Sequence, residues 1–152
     1  MPSSYTILII SISSPLLIGV YKGDTLVESI SSTEKTSEIL LKILTDLSEK
    51  YSYSRLLYTN GPGSYMAIKL TYITLRSLEI LKGFTFQGCN AFDLNGNKPI
   101  KAMGKLYFIK ENNTIITKKF DEAVEQRFEL PSLLSDVTIL KDNRPLYILP
   151  AV

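Results

Sequence analysis

Histidine is absent from the 152 residues, and cysteine appears once. Without an imidazole, a Ser-His-Asp triad, a Cys-His pair, an HExxH metal site and an imidazole general base cannot be built from this chain. Any catalysis falls to carboxylates, lysine, tyrosine or a partner's residues. The lone Cys89 excludes an internal disulfide framework and points to a reduced, intracellular setting, with the cytoplasm as the expected location. Long apolar runs are missing too. Ile7-Leu8-Ile9-Ile10 is short, follows no basic region and passes into "SISSPLLIGVY", so a buried strand is expected there rather than a signal peptide or a membrane span. The formal charge of +2 comes from basic residues spread along the chain, which leaves no sequence-level footprint for nucleic acid or an anionic membrane. Internal repeats and low-complexity stretches are likewise absent.

What is present suits one globular core, because 45% of the residues are apolar and the length is too small for two full-sized domains. Residues 5–13 and 16–21, separated by Pro15, read as strands, and "TLVESIS" after the Gly23-Asp24 turn alternates as a third. Over 34–51 the period changes: Ile39, Leu40, Ile43, Leu44 and Leu47 recur at helical spacing, with Thr33 as the expected N-cap and Glu34 and Glu38 favoured by the first turns. A buried strand is expected over 55–59, a second helix over Ser64 to Lys82 with Gly83 at its C-terminal cap, and a fifth strand at "FTFQGC". The order β-β-β-α-β-α-β fits a mixed α/β sheet. The turn-rich "NAFDLNGNKP" reads as a boundary. Beyond Pro99, two strands are expected around a Glu111-Asn112-Asn113 turn, then an amphipathic helix over about 119–129 and a tail bearing Pro131, Pro145 and Pro150.

Gly61-Pro62-Gly63-Ser64, within "NGPGSY", joins strand to helix. A glycine-rich turn feeding a helix N-terminus can hold an anion, since unpaired N–H groups and positive partial charge gather there. The next lysine is only at Lys69, however, so no Walker motif follows; a GxGxxG fingerprint and a GxSxG elbow are also missing. The loop reads as a hinge: Gly61 and Gly63 give backbone freedom, Pro62 stiffens the turn and Ser64 caps the helix.

On the wheel of that second helix, Lys69, Arg76, Glu79, Tyr65 and Tyr72 share a narrow sector, while apolar and small residues fill the rest. Ala67, Ile68, Thr71, Leu75 and Leu78 form one side, and Met66, Leu70, Ile73, Ser77 and Ile80 another. Either the first helix and the tail cover both sides within the monomer, or one side is an exposed interface stripe. Cys89 beside Asn90 reads as a small buried thiol, and Asp121, Glu122, Glu125 and Glu129, with Lys118, Lys119 and Arg127 nearby, as a solvated face rather than a metal site.

"GPGSY" followed by "MAIKLTYITLRSLEILKG", after a prelude beginning "ILIISISS", resembles the TsaB (YeaZ) family, bacterial partners in making the threonylcarbamoyladenosine of tRNA. That family's usual motif is Gly-Pro-Gly-Ser-Phe/Tyr-Thr-Gly-apolar-Arg. The match covers roughly residues 5–95, and "KAMGKLYFIK" resembles the hairpin that opens the family's second lobe. The resemblance implies the actin/Hsp70/sugar-kinase (ASKHA) architecture: an N-terminal lobe over 1–97 and a truncated second α+β lobe over 98–152 made of hairpin, short helix and tail. It further implies a non-catalytic subunit that pairs through its two helices with a TsaD-like catalytic subunit. Nucleotide and metal then belong to that partner, a TsaE-like ATPase completes the machinery, and tRNA is met only indirectly. The expected interface is Met66, Leu70, Ile73, Ser77 and Ile80 with Ile39 and Ile43 of the first helix, used by a homodimer when the partner is absent. Ser11-Ile12-Ser13 stands where the family has Asp-Thr-Ser, and Met66, Ala67, Lys69 and Thr36 replace Thr, Gly, Arg and His. Two alternatives remain: an actin-like ATPase or glycoprotease-like peptidase, and a homodimeric module for another partner.

Overall fold

The computed structural model describes residues 5–147, and Pro150 lies outside them. Strands β1 (Tyr5–Ile10), β2 (Leu16–Lys22) and β3 (Thr25–Ser32) form an antiparallel meander. Helix α1 (Thr36–Lys50) leads to β4 (Tyr53–Gly61), and α2 (Tyr65–Lys82) leads to β5 (Thr85–Asn90). Both of these strands join in parallel, giving the order β3-β2-β1-β4-β5 and the expected mixed α/β sheet.

The strands' period of two sorts their side chains onto two cores. Ile7, Ile9, Ile18, Val20, Leu56 and Tyr58 pack toward the helices, meeting Leu40, Leu44 and Leu47 of α1 and Ile68 and Leu75 of α2. Leu8, Ile10, Tyr21 and Leu57 face the opposite way, onto Phe92, Ile100, Phe108, Phe128, Leu134 and Val137. With both faces covered, β1 is almost continuously apolar, as a central strand must be. The sequence around "NAFDLNGNKP" therefore does more than turn. Ala91–Leu94 is a 3-10 turn whose Ala91, Phe92 and Leu94 are buried in the second core.

A three-stranded antiparallel sheet, β6 (Ile100–Met103), β7 (Leu106–Glu111) and β8 (Thr114–Lys119), packs over that second core. The expected first strand past Pro99 is in fact two, because Gly104 takes φ 56° and reverses the chain. The Asn112-Asn113 turn stands where expected, both residues having positive φ.

The helix expected over 119–129 is absent; the segment is extended. Val124, Gln126, Phe128 and Leu130 are buried or half-buried while Glu125, Arg127 and Glu129 are exposed, a period of two rather than 3.6. Gln126 fixes this strap by accepting from Lys101 N at 2.9 Å and donating to Pro99 O at 3.2 Å. Thr33 is not the cap of α1. Ser32 Oγ instead accepts from Glu34 N at 3.1 Å, the helix begins at Thr36, and Lys35 holds the cap position without a side-chain bond. Glu34 thus precedes the helix, whereas Glu38 lies in its first turn.

The C-terminal segment covers both edges of the main sheet, which otherwise present unpaired N–H and C=O groups. Leu26 N donates to Ser132 O beside β3, and Gly88 N to Asp142 O beside β5, both at 3.0 Å. Tyr21 and Tyr58 add ties through their hydroxyls, donating to Pro131 O at 2.7 Å and Asn143 O at 2.6 Å. Burial raises both phenol pKa values, keeping these donors protonated. Among the described residues no helix is long and apolar enough to cross a membrane.

Candidate functional site

The NGPGSY turn sits where β4, β1, α2 and the tail converge. Gly61 has φ 134°, and a Cβ there would lie 2.3 Å from Leu146 O. A Cβ on Gly63 would press on Ile12 at 3.3 Å. Gly61 is thus required by the close approach of the tail, beyond the freedom a hinge needs, whereas Gly63 only eases the packing of Ile12. Ser64 caps α2, its Oγ accepting from Ala67 N at 3.4 Å, and Gly83 closes the helix at φ 74°. Between this turn and β6 lies a cleft of about 500 Å³ whose lining is chiefly apolar, including Ile12, Tyr65, Met66, Ile100, Met103 and Phe108.

At the end of β1 the position implied to carry a carboxylate holds Ser11. Its Oγ lies 2.6 Å from Thr71 Oγ1 on the buried side of α2, so two hydroxyls satisfy each other inside the core. Cys89 is fully buried, and burial, assisted by Asp93, pushes its thiol up to about 12. Such a thiol stays protonated at neutral pH and is a poor nucleophile. Asn90 beside it is occupied as a cap, accepting from Phe92 N at 2.9 Å. Asp121, Glu122, Glu125 and Glu129 follow the extended strap, where Arg127 pairs with Glu129 at 3.5 Å. No group of three or more metal-ligating side chains occurs among the described residues.

The two sides of α2 differ sharply. Ile68, Thr71 and Leu75 are fully buried against the sheet, with Ala67 and Leu78 half-buried beside them. Across the helix, Met66 is 77% exposed, Ile73 51% and Ile80 70%; Ser77 is exposed and Leu70 half-buried. These five residues follow a 4-3-4-3 spacing, the seam used when one helix packs along another. Lys69 and the Arg76–Glu79 ion pair rim the stripe. Tyr72 leaves that polar sector and packs on Phe86, their centroids 5.7 Å apart, while Tyr65 meets Tyr147 at 5.1 Å.

Ile39 and Ile43 are half-buried and pack on the helix-side core. Lys50, on the same side of α1 by helical phase, reaches Glu28 of β3 at 2.6 Å, so this side faces the meander. Thr45 and Ser48 instead line a groove with Leu78 and Lys82 of α2. Leu41, one turn before Thr45, is 55% exposed on that α2-facing side. Together with Leu81, 76% exposed, it extends the apolar stripe, and sequence reasoning overlooked both. The signal for Leu41 was a leucine out of phase with the buried Leu40, Leu44 and Leu47.

No protein-family model matches the chain, and no curated protein matches its sequence. Solved structures do match. YeaZ from Pseudomonas aeruginosa superposes with a TM-score of 0.58 at 9% identity, over 82% of this chain and 72% of that one. An uncharacterized protein with similarity to peptidase YEAZ from Pseudomonas aeruginosa gives 0.60 at 8% identity, over 82% and 71%. At such identities the likeness is one of fold, and the fold is the ASKHA-like α/β architecture of YeaZ with a small second lobe.

Proposed function

We propose that the chain is a short member of the TsaB (YeaZ) family and acts as a non-catalytic subunit in the synthesis of tRNA threonylcarbamoyladenosine. The observation that carries this reading is the exposed apolar stripe of α2, Met66, Leu70, Ile73, Ser77 and Ile80, on a YeaZ-like lobe. An uncovered apolar seam of this length on a stable scaffold marks a protein contact. Its occupant is a TsaD-like catalytic subunit, whose helices complete a bundle with α1 and α2. A second copy of this chain takes its place when that subunit is missing.

Three features support the absence of a reaction centre in this chain: the lack of histidine, the hydroxyl at Ser11, and the protonated thiol of Cys89. Nucleotide and metal accordingly belong to the TsaD-like partner. A TsaE-like ATPase joins the assembly, tRNA is reached through the partner, and the complex works in the cytoplasm. Leu41 takes a direct part, while Ile39 and Ile43, on the meander side of α1, hold that helix on the core.

Calorimetric titration with a TsaD-like subunit from the same cell, with ATP and magnesium present, tests the reading. One-to-one binding is expected, with affinity in the nanomolar to micromolar range, on the order of −8 to −12 kcal/mol. Titrations without heat or mass change at any concentration would overturn it.

A further inference from the structure

The C-terminal segment follows β4 out of the sheet, running in the same direction. The Tyr58 hydroxyl donates to Asn143 O at 2.6 Å, Asn60 Nδ2 to Arg144 O at 3.0 Å, and Leu146 N to Asn60 O at 2.7 Å. Leu146 O then lies over Gly61, and the ring of Tyr147 meets Tyr65 at the start of α2. That path arrives at one wall of the apolar cleft, because Gly63, Ser64, Tyr65 and Met66 all line it.

Among the described residues the cleft has no cover. Ile100 and Phe108 of its lining are buried, whereas Met66 on α2 and Met103 on β6 are 77% and 65% exposed. Water against these apolar walls is unfavourable, and an occupant that displaces it is favoured. Lys101 is the only charged residue along the described lining, so an uncharged, apolar occupant fits and a charged one does not. Residues 148–152 have that chemistry: they read Ile-Leu-Pro-Ala-Val, and Pro150 brings no N–H into an apolar site. At about 3.3 Å per residue they reach on the order of 15 Å beyond Tyr147. Attachment so near the cleft gives them an effective concentration of about millimolar, which no free molecule of similar chemistry has without being supplied at that level.

We propose that residues 148–152 dock in the cleft between the start of α2 and β6, as a ligand supplied by the chain itself. In that position their aliphatic side chains bridge Met66 and Met103 and tie the second sheet to the helix. The contact is apolar and intramolecular. It goes beyond the pairing of α2 with another subunit and does not rest on it.

The test is methionine oxidation by dilute hydrogen peroxide, read peptide by peptide in a mass spectrometer, because Met66 and Met103 both line the cleft. Met1, the third methionine, is the reference within each sample. In the full chain Met66 and Met103 should be oxidised at least about threefold more slowly than in a chain ended after Tyr147. Leu149→Asp in the full chain should remove the same protection, and it carries the comparison if the shortened chain fails to fold. A free Ile-Leu-Pro-Ala-Val peptide at about millimolar concentration should restore protection to whichever of the two is folded. The proposal is overturned by any of three results: equal oxidation in the parent and the folded variants, a peptide that protects neither methionine, or protection in the parent that disappears on roughly hundredfold dilution, which would make a second copy the occupant.

Discussion

The two sides of α2 are built from the same kinds of residue and have opposite surroundings. Ile68, Thr71 and Leu75 lose all contact with solvent against the sheet, whereas Met66, Ile73 and Ile80 remain mostly open. At about 25 cal/mol per Å² of apolar area removed from water, only the inner side contributes to folding of the monomer. On the proposed reading, the outer side makes that contribution on contact with another helix. Apolar content alone does not separate the two sides of α2; depth in the fold does.

Substitutions on the inner side should have the largest effect on stability. Leu75→Ala removes a fully buried side chain from the helix-side core and should cost about 2–5 kcal/mol, read as a lower urea midpoint at unchanged slope. A cost below that range would place Leu75 among the peripheral residues and blur the contrast. Next comes the turn that aims α2. Gly61→Ala forces a side chain onto φ 134° and against the Leu146 carbonyl, whose own amide donates to Asn60 O at 2.7 Å. A loss of about 1–3 kcal/mol is expected, with faster hydrogen exchange at the Leu146 amide as the tail lifts. Unchanged exchange there would mean that Gly61 serves the turn alone.

Much of this architecture can be read from the residues, because the physics that sets it is local. Strands β1, β2 and β4 announce themselves by apolar runs, and α2 by its period, the Ser64 cap and the Gly83 stop. The strap over 120–130 was misread for a definable reason. Its acids suggested a helix face, while the alternation of Val124, Gln126, Phe128 and Leu130 gave the correct period. Docking of residues 138–147 on β5 and the Gly61 loop has little side-chain signature beyond Ile139 and Tyr147, since most of it runs through backbone amides and the carbonyls of Leu140, Asp142, Asn143 and Arg144. The candidate interface was half legible. Helical phase separates the α2 stripe from its polar sector, but only the position of α1 over the meander assigns Ile39 and Ile43 to the core and brings Leu41 toward α2.

The smallest expected change in stability carries the central claim. Ile73→Glu lies at the middle of the outer stripe, at a position already half open to solvent, so folding should change by no more than about 0.5 kcal/mol. Light-scattering mass of this variant and the parent, each mixed with the TsaD-like subunit and checked for folding by circular dichroism, is the decisive measurement. The account predicts a one-to-one complex for the parent and two separate monomeric species for the folded variant. A variant that still forms the complex, or a parent that never does, would contradict it.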